Sequence, residues 1–185
     1  MKEFGMDLER KFCRFDADVT VTDGTVIEGY ASRFEQCDQG NDIVSTGAYG
    51  ASLKRLAKSG CAVKMLWQHD PAQPIGIWDE VREDGTGLYV KGRLLETVAR
   101  GREAAALVAA GAIDGLSIGY RTKAATKDKQ GRRVLTELEL WEVSLVTFPM
   151  LPSARVAAKG ETPVEADLRE MARLIEEARR DLVDG

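Results

Sequence analysis

Apolar and polar residues alternate through ADVTVTDGTVIEGYASRF, on both sides of Asp23-Gly24, and this period of two predicts a β-hairpin about that turn. The period lengthens in DIVSTGAYGASLKRLAKSG, where Leu53, Leu56 and Ala57 recur at helical spacing. Ser45 or Thr46 offers a cap there, and Gly60 a stop. CAVKMLWQ is an apolar strand ending beside the histidine at position 69, and IGIWDEVREDGTGLYVKGRLL is a second hairpin about Asp84-Gly85-Thr86-Gly87. Alanine and leucine dominate TVARGREAAALVAAGAI, a helix that Gly111 terminates. Two or three strands follow from Asp114 to Met150, with the polar run Ala124 to Arg133 as an exposed connection and Pro149 and Pro152 closing the unit. SARVAAKGE reads as linker. The tail TPVEADLREMARLIEEARRDL carries a cap, a first-turn proline and a capping-box acid at Thr162, Pro163 and Glu165. Its apolar stripe runs Val164, Leu168, Met171, Ile175, Ala178 and Leu182, a face for docking rather than for chemistry. The pattern predicts a strand-dominated α+β fold, most simply an antiparallel β-barrel, closed or nearly so, with flanking helices. It occupies residues 1–156, and a linker and C-terminal amphipathic helix occupy 157–185.

Composition narrows the function classes. The chain has 185 residues and a formal net charge of -4, and it shows no basic cluster interleaved with aromatics, which argues against nucleic acid as a partner. No apolar run approaches the roughly 20 residues of a membrane span, and MKEFGMDLERKF has no signal-peptide core, so no membrane partner is expected. Cys13, Cys37 and Cys61 are odd in number and far apart, which fits neither a disulfide framework nor zinc-ligand pairs and points to a reducing compartment. With one histidine, no close cysteine pair and no calcium-loop spacing, neither a metal nor another cofactor is expected.

Candidate chemistry sits at three places. His69 lies where an apolar strand breaks at His69-Asp70-Pro71, as a reactive base or as an ordinary hydrogen-bonded side chain at a strand end. In DGLSIGY, Ser117 and Gly119 share one strand face while Leu116, Ile118 and Tyr120 take the other, and the glycine leaves room for a substrate backbone. In LELWEVSLVTFP, alternation groups Leu138, Leu140, Glu142, Ser144 and Val146 on one face. Glu142 is then a carboxylate among apolar neighbours, and leaving it unpaired there costs several kcal/mol. Its partner is an imidazole or an arginine such as Arg121. A serine hydroxyl needs a base to take its proton, histidine titrates near neutrality, and a carboxylate behind the ring fixes the tautomer. Ser144 competes with Ser117 for the hydroxyl role or serves as a hydrogen-bonding neighbour of Glu142. No GxSxG elbow is present, so spacing alone leaves the hydrolase reading open.

KMLWQHDPAQPIGIWDEV, LVAAGAIDGLSIGY and ELWEVSLVTFPMLPSARV together resemble the three signature blocks of the tailed-bacteriophage prohead proteases, capsid-maturation serine proteases distantly similar to the herpesvirus assemblins. The resemblance runs from about Phe15 to Val156. It implies an assemblin-like β-barrel, a serine nucleophile at Ser117 and a histidine base at His69. Assemblins use a second histidine as third member; this chain has none left, and Glu142 stands at the corresponding position. Glu139 is disfavoured because alternation points it away from Glu142. The implied substrates are scaffolding protein or the scaffolding segment of the major capsid protein, and the enzyme itself, inside the immature capsid in the host cytoplasm. Likeness to assemblins, which pair to become active, also implies a homodimer. The rival readings are a non-catalytic capsid-assembly barrel that retains the protease shape and an esterase using the same three groups.

Overall fold

The computed structural model describes the backbone of residues 9–12, 19–22, 24–38, 40–147 and 156–158, and the side chains of 24–38 and 40–147. The strands are β1 (Glu9–Phe12), β2 (Val19–Thr22), β3 (Val26–Arg33), β4 (Asp42–Val44), β5 (Lys64–Trp67), β6 (Asp70–Glu83), β7 (Gly87–Leu94), β8 (Gly115–Lys127), β9 (Arg133–Val146) and β10 (Val156–Ala158). Two helices, α1 (Gly50–Ser59) and α2 (Ala99–Ala109), lie between them. The strands join one sheet in the order β1-β8-β9-β5-β6-β7-β3-β2-β10, with β4 paired to β9 off that path. This sheet curls into a half-barrel.

The strand-dominated α+β class therefore holds, but the sheet is mixed rather than wholly antiparallel. β4 and β5 both run parallel to β9, and β10 runs parallel to β2. β10 also replaces part of the linker expected over SARVAAKGE with an edge strand. The tail's amphipathic stripe lies outside the described residues, as do Pro149 and Pro152. The connection expected over Ala124 to Arg133 is shorter than its polarity suggests. Exposed Ala124–Lys127 continues β8, leaving only residues 128–132 as the turn.

α1 ends as predicted at a left-handed C-cap, Gly60 (φ 65°), whereas the C-cap of α2 is Ala110 and the left-handed Gly111 (φ 68°) follows one residue later. Neither Ser45 nor Thr46 caps α1. The residue at its N-cap is Tyr49, with no side-chain cap bond of its own. A carboxylate from another element takes over, as the Tyr49 N–H donates to Glu83 Oε2 at 2.8 Å.

The core lies inside the curl, where Ile27, Ile75, Leu88, Leu116, Leu138 and Leu145 are fully buried. Burying each such side chain is worth about 2 kcal/mol, against about 0–1 kcal/mol for an exposed ion pair such as Arg93–Asp79. The apolar strands thus hold the half-barrel, and the charged rim decorates it.

Candidate active site

The turn that carries the lone histidine is built under constraint. Trp67 pairs with Asp70, so Gln68 and His69 alone connect β5 to β6. Their φ values, 52° and 63°, are both positive, the signature of a type I′ hairpin that normally selects asparagine and glycine. A side-chain-bearing residue held in that region costs of order 1 kcal/mol, and something must hold it. Here the end of β9 does so. The Gln68 N–H donates to Leu145 O at 2.9 Å, the Gln68 amide to Thr147 Oγ1 at 2.6 Å, and the His69 N–H to Ser144 Oγ at 3.3 Å.

Ser117 and Glu142 come to the same place on adjacent strands. Leu116 and Ile118 fill the core, which turns Ser117 to the opposite face of β8, and across the ladder Ser117 pairs with Ser144 and Gly119 with Glu142. The three candidates form one bonded chain. His69 Nε2 lies 2.7 Å from Ser117 Oγ, and His69 Nδ1 lies 2.5 Å from Glu142 Oε1. Serine, histidine and glutamate are 0%, 8% and 3% exposed, so their electrostatics act in a medium far less screening than water. With Glu142 as carboxylate it can only accept, so Nδ1 carries the ring proton and Nε2 is left to accept from the Ser117 hydroxyl.

The other carboxylate oxygen is also occupied. The Ser144 hydroxyl donates to Glu142 Oε2 while accepting the His69 backbone N–H. Ser144 is thus a neighbour that ties the acid to the histidine's backbone. Gly119 differs from its expected use. A Cβ there would overlap the Glu142 carboxyl group, so the missing side chain houses the acid rather than a substrate backbone.

Alternation misplaces β9. Leu138 and Leu140 lie in the core together with Val143 and Leu145, so the core-facing parity changes within the strand. Glu142 and Ser144 therefore do not share a face with Leu138 and Leu140. The same change cancels the parity objection to Glu139, which also lies off the core face. What engages Glu139 is Lys123 at 2.8 Å, with Arg121 at 3.7 Å. The Lys123 ammonium holds the Glu139 carboxyl below its usual range against the opposing effect of partial burial, with Arg121 and Arg55 assisting. Arg121 is accordingly a partner of Glu139 and lies over the Trp141 ring at 5.4 Å. The imidazole, not this arginine, meets Glu142.

Two contributors escape a reading of the chain. Gln68 carries no signal beyond its place before the histidine, and Gly119 reads as a substrate gap until the Glu142 side chain is seen over it. Among the described residues no group of three or more His, Cys, Asp or Glu could hold a metal ion. Nor is any described helix long and apolar enough to cross a membrane. The arrangement can pass a proton from a hydroxyl to a ring and stabilise the resulting cation.

Comparison with known proteins adds to this geometry. The family described as caudovirus prohead serine protease matches residues 14–169. The prohead protease of Enterobacteria phage HK97 is 32% identical over 139 residues, covering 72% of this chain and 59% of that protein. The chain thus spans about three fifths of the length of that curated relative. The solved structure of the bacteriophage T4 capsid assembly protease superposes with a TM-score of 0.59 at 20% identity, covering 77% of this chain and 98% of that one, a likeness of fold. The varicella-zoster virus protease reaches a TM-score of only 0.38 at 10% identity, so the fold comparison rests on the T4 structure.

Proposed function

Because this chain belongs to the caudovirus prohead serine protease family, we propose that it is an endopeptidase of phage head maturation with Ser117 as nucleophile, His69 as base and Glu142 as orienting acid. The observation that carries the assignment is the unbroken hydrogen-bonded chain Ser117–His69–Glu142 in a buried setting. Ser117 Oγ attacks the scissile carbonyl as its proton passes to His69 Nε2. The imidazolium formed is stabilised by Glu142, whose second oxygen stays fixed by Ser144. His69 then returns the proton to the leaving amine, and a water deprotonated by the same ring hydrolyses the acyl-enzyme.

The names of the relatives support a reading of the substrates. One is named a prohead protease and another a capsid assembly protease, which supports cleavage of capsid components. The finer reading is that scaffolding protein, or a scaffolding segment of the major capsid protein, is cut inside the immature capsid, and the protease with it.

Coexpression with the cognate capsid precursor, followed by mass-spectrometric mapping of new termini, tests this. Processing by the wild type and none by Ser117→Ala is expected. An uncut precursor with both would favour the non-catalytic assembly barrel. Turnover of small esters without processing would favour an esterase.

A further inference from the structure

β9 changes core-facing parity at a bulge. Gly119 pairs with Glu142 and Tyr120 with Leu140, which leaves Trp141 without a partner on β8. Ahead of it the even-numbered Leu138 and Leu140 enter the core; beyond it the odd-numbered Val143 and Leu145 do. A strand of unbroken period two would carry residue 142 to the core side along with Leu138 and Leu140. The one extra residue delivers Glu142 and Ser144 to the face of Ser117 instead.

The other edge of β9 explains how the bulge is held. β4 pairs with it as far as Leu135, and β5 takes over from Glu142. Between them the α1 region fills the gap. Ala48 O accepts the Leu138 N–H at 2.9 Å, and Ser52 Oγ accepts the Leu140 N–H at 2.9 Å. Ser52 is 2% exposed, and its hydroxyl satisfies the backbone donor at the leading residue of the bulge. Without it that buried N–H would favour a different local path for β9.

We propose that Ser52 is a positioning residue for the reaction, acting through the Leu140–Glu142 bulge to set the Glu142 carboxylate against His69. This rests on the proposed role of Glu142. The test compares Ser52→Ala, Ser52→Thr and, as a control for stability loss alone, Val108→Ala in the core of α2. Threonine keeps the acceptor at a position that lines, with Leu56 and Leu140, a groove of about 420 Å³. Two readouts are taken on folded protein: the rate of fluorophosphonate labelling, and the low-field NMR resonance of the His69 Nδ1 proton bonded to Glu142.

Ser52→Ala is expected to slow labelling about 10- to 100-fold and to weaken the resonance, the scale at which small misplacements act. Ser52→Thr restores both, and Val108→Ala preserves both despite a lower Tm. Should Ser52→Ala fail to fold, Ser52→Cys, with a weaker acceptor, carries the same expectation. Wild-type labelling with an intact resonance in Ser52→Ala would overturn the inference, as would equal losses in Val108→Ala or absence of the resonance from the wild type. A wild type that shows the resonance but takes no label would sink the proposed function while leaving the resonance comparison to judge Ser52.

Discussion

Two carboxylates, Asp84 and Glu142, make a useful contrast. Asp84 sits in the β6–β7 turn, where it accepts from the N–H groups of Thr86 at 2.8 Å and Gly87 at 3.2 Å, from the Tyr30 hydroxyl at 2.9 Å and from Arg82 at 2.5 Å. Most of those partners lie within three positions of it. Desolvation opposes its ionisation, but these bonds outweigh it and bring its pKa down to about 2. Glu142 is bound by a ring 73 positions away and by a hydroxyl on its own strand. The first acid fixes a local turn at the surface; the second gathers distant segments and faces a group whose charge changes in the proposed cycle. The same functional group is structural in one place and, in the proposed cycle, chemical in the other because of what it is bonded to and how far water is kept away.

The sharpest way to separate them is to remove the chemistry and leave the turn alone. Ser117→Ala or His69→Ala should cut precursor processing by at least about 10⁴-fold with cooperative unfolding retained, as read by termini mapping beside circular dichroism. Loss of cooperative unfolding in His69→Ala would make the histidine structural. Glu142→Gln should reduce labelling about 10³- to 10⁴-fold by disturbing the ring's tautomer. Glu142→Ala should also destabilise the fold by about 3–5 kcal/mol in urea titrations, since it strips a buried network of its acceptor. A near-normal Glu142→Gln would break the contrast at its centre.

Smaller effects sharpen it. Gly119→Ala pushes a methyl group into the carboxyl of Glu142, and an activity loss of about 10²-fold is expected with a stability loss of only about 1–3 kcal/mol. Unchanged activity would mean that the acid can move without consequence. Asp84→Asn should leave activity within about twofold and change only the acid limb of stability. The pKa of Asp84 is depressed by folding, so the unfolded chain takes up the proton first. Its contribution is full above about pH 4 and fades as the pH falls toward about 2. Urea unfolding across that range should show a shallower loss for the asparagine variant than for the wild type.

What the amino-acid sequence reveals follows the reach of each interaction. The turn at Asp84 is legible because its signals are local: a glycine-rich tetrad between two alternating runs. The stop at Gly60 is legible for the same reason, whereas the start of α1 is not, since Glu83 supplies its cap from another strand. At the site, the residue types and the break after Trp67 are legible. The parallel seam between β5 and β9 is not, because such pairing joins segments with no local marker. Nor is the bulge at Trp141, where tertiary packing overrides a periodicity that would otherwise group Glu142 with Leu140. Alternation singles out Glu142 but assigns it to the face of Leu138 and Leu140, which the bulge reverses.

The central claim is that one particular hydroxyl is the nucleophile, and peptide mapping of the fluorophosphonate adduct tests it most directly. The account predicts a single adduct on Ser117 in the wild type that disappears in His69→Ala. An adduct on Ser144, or one on Ser117 that persists without the histidine, would contradict it.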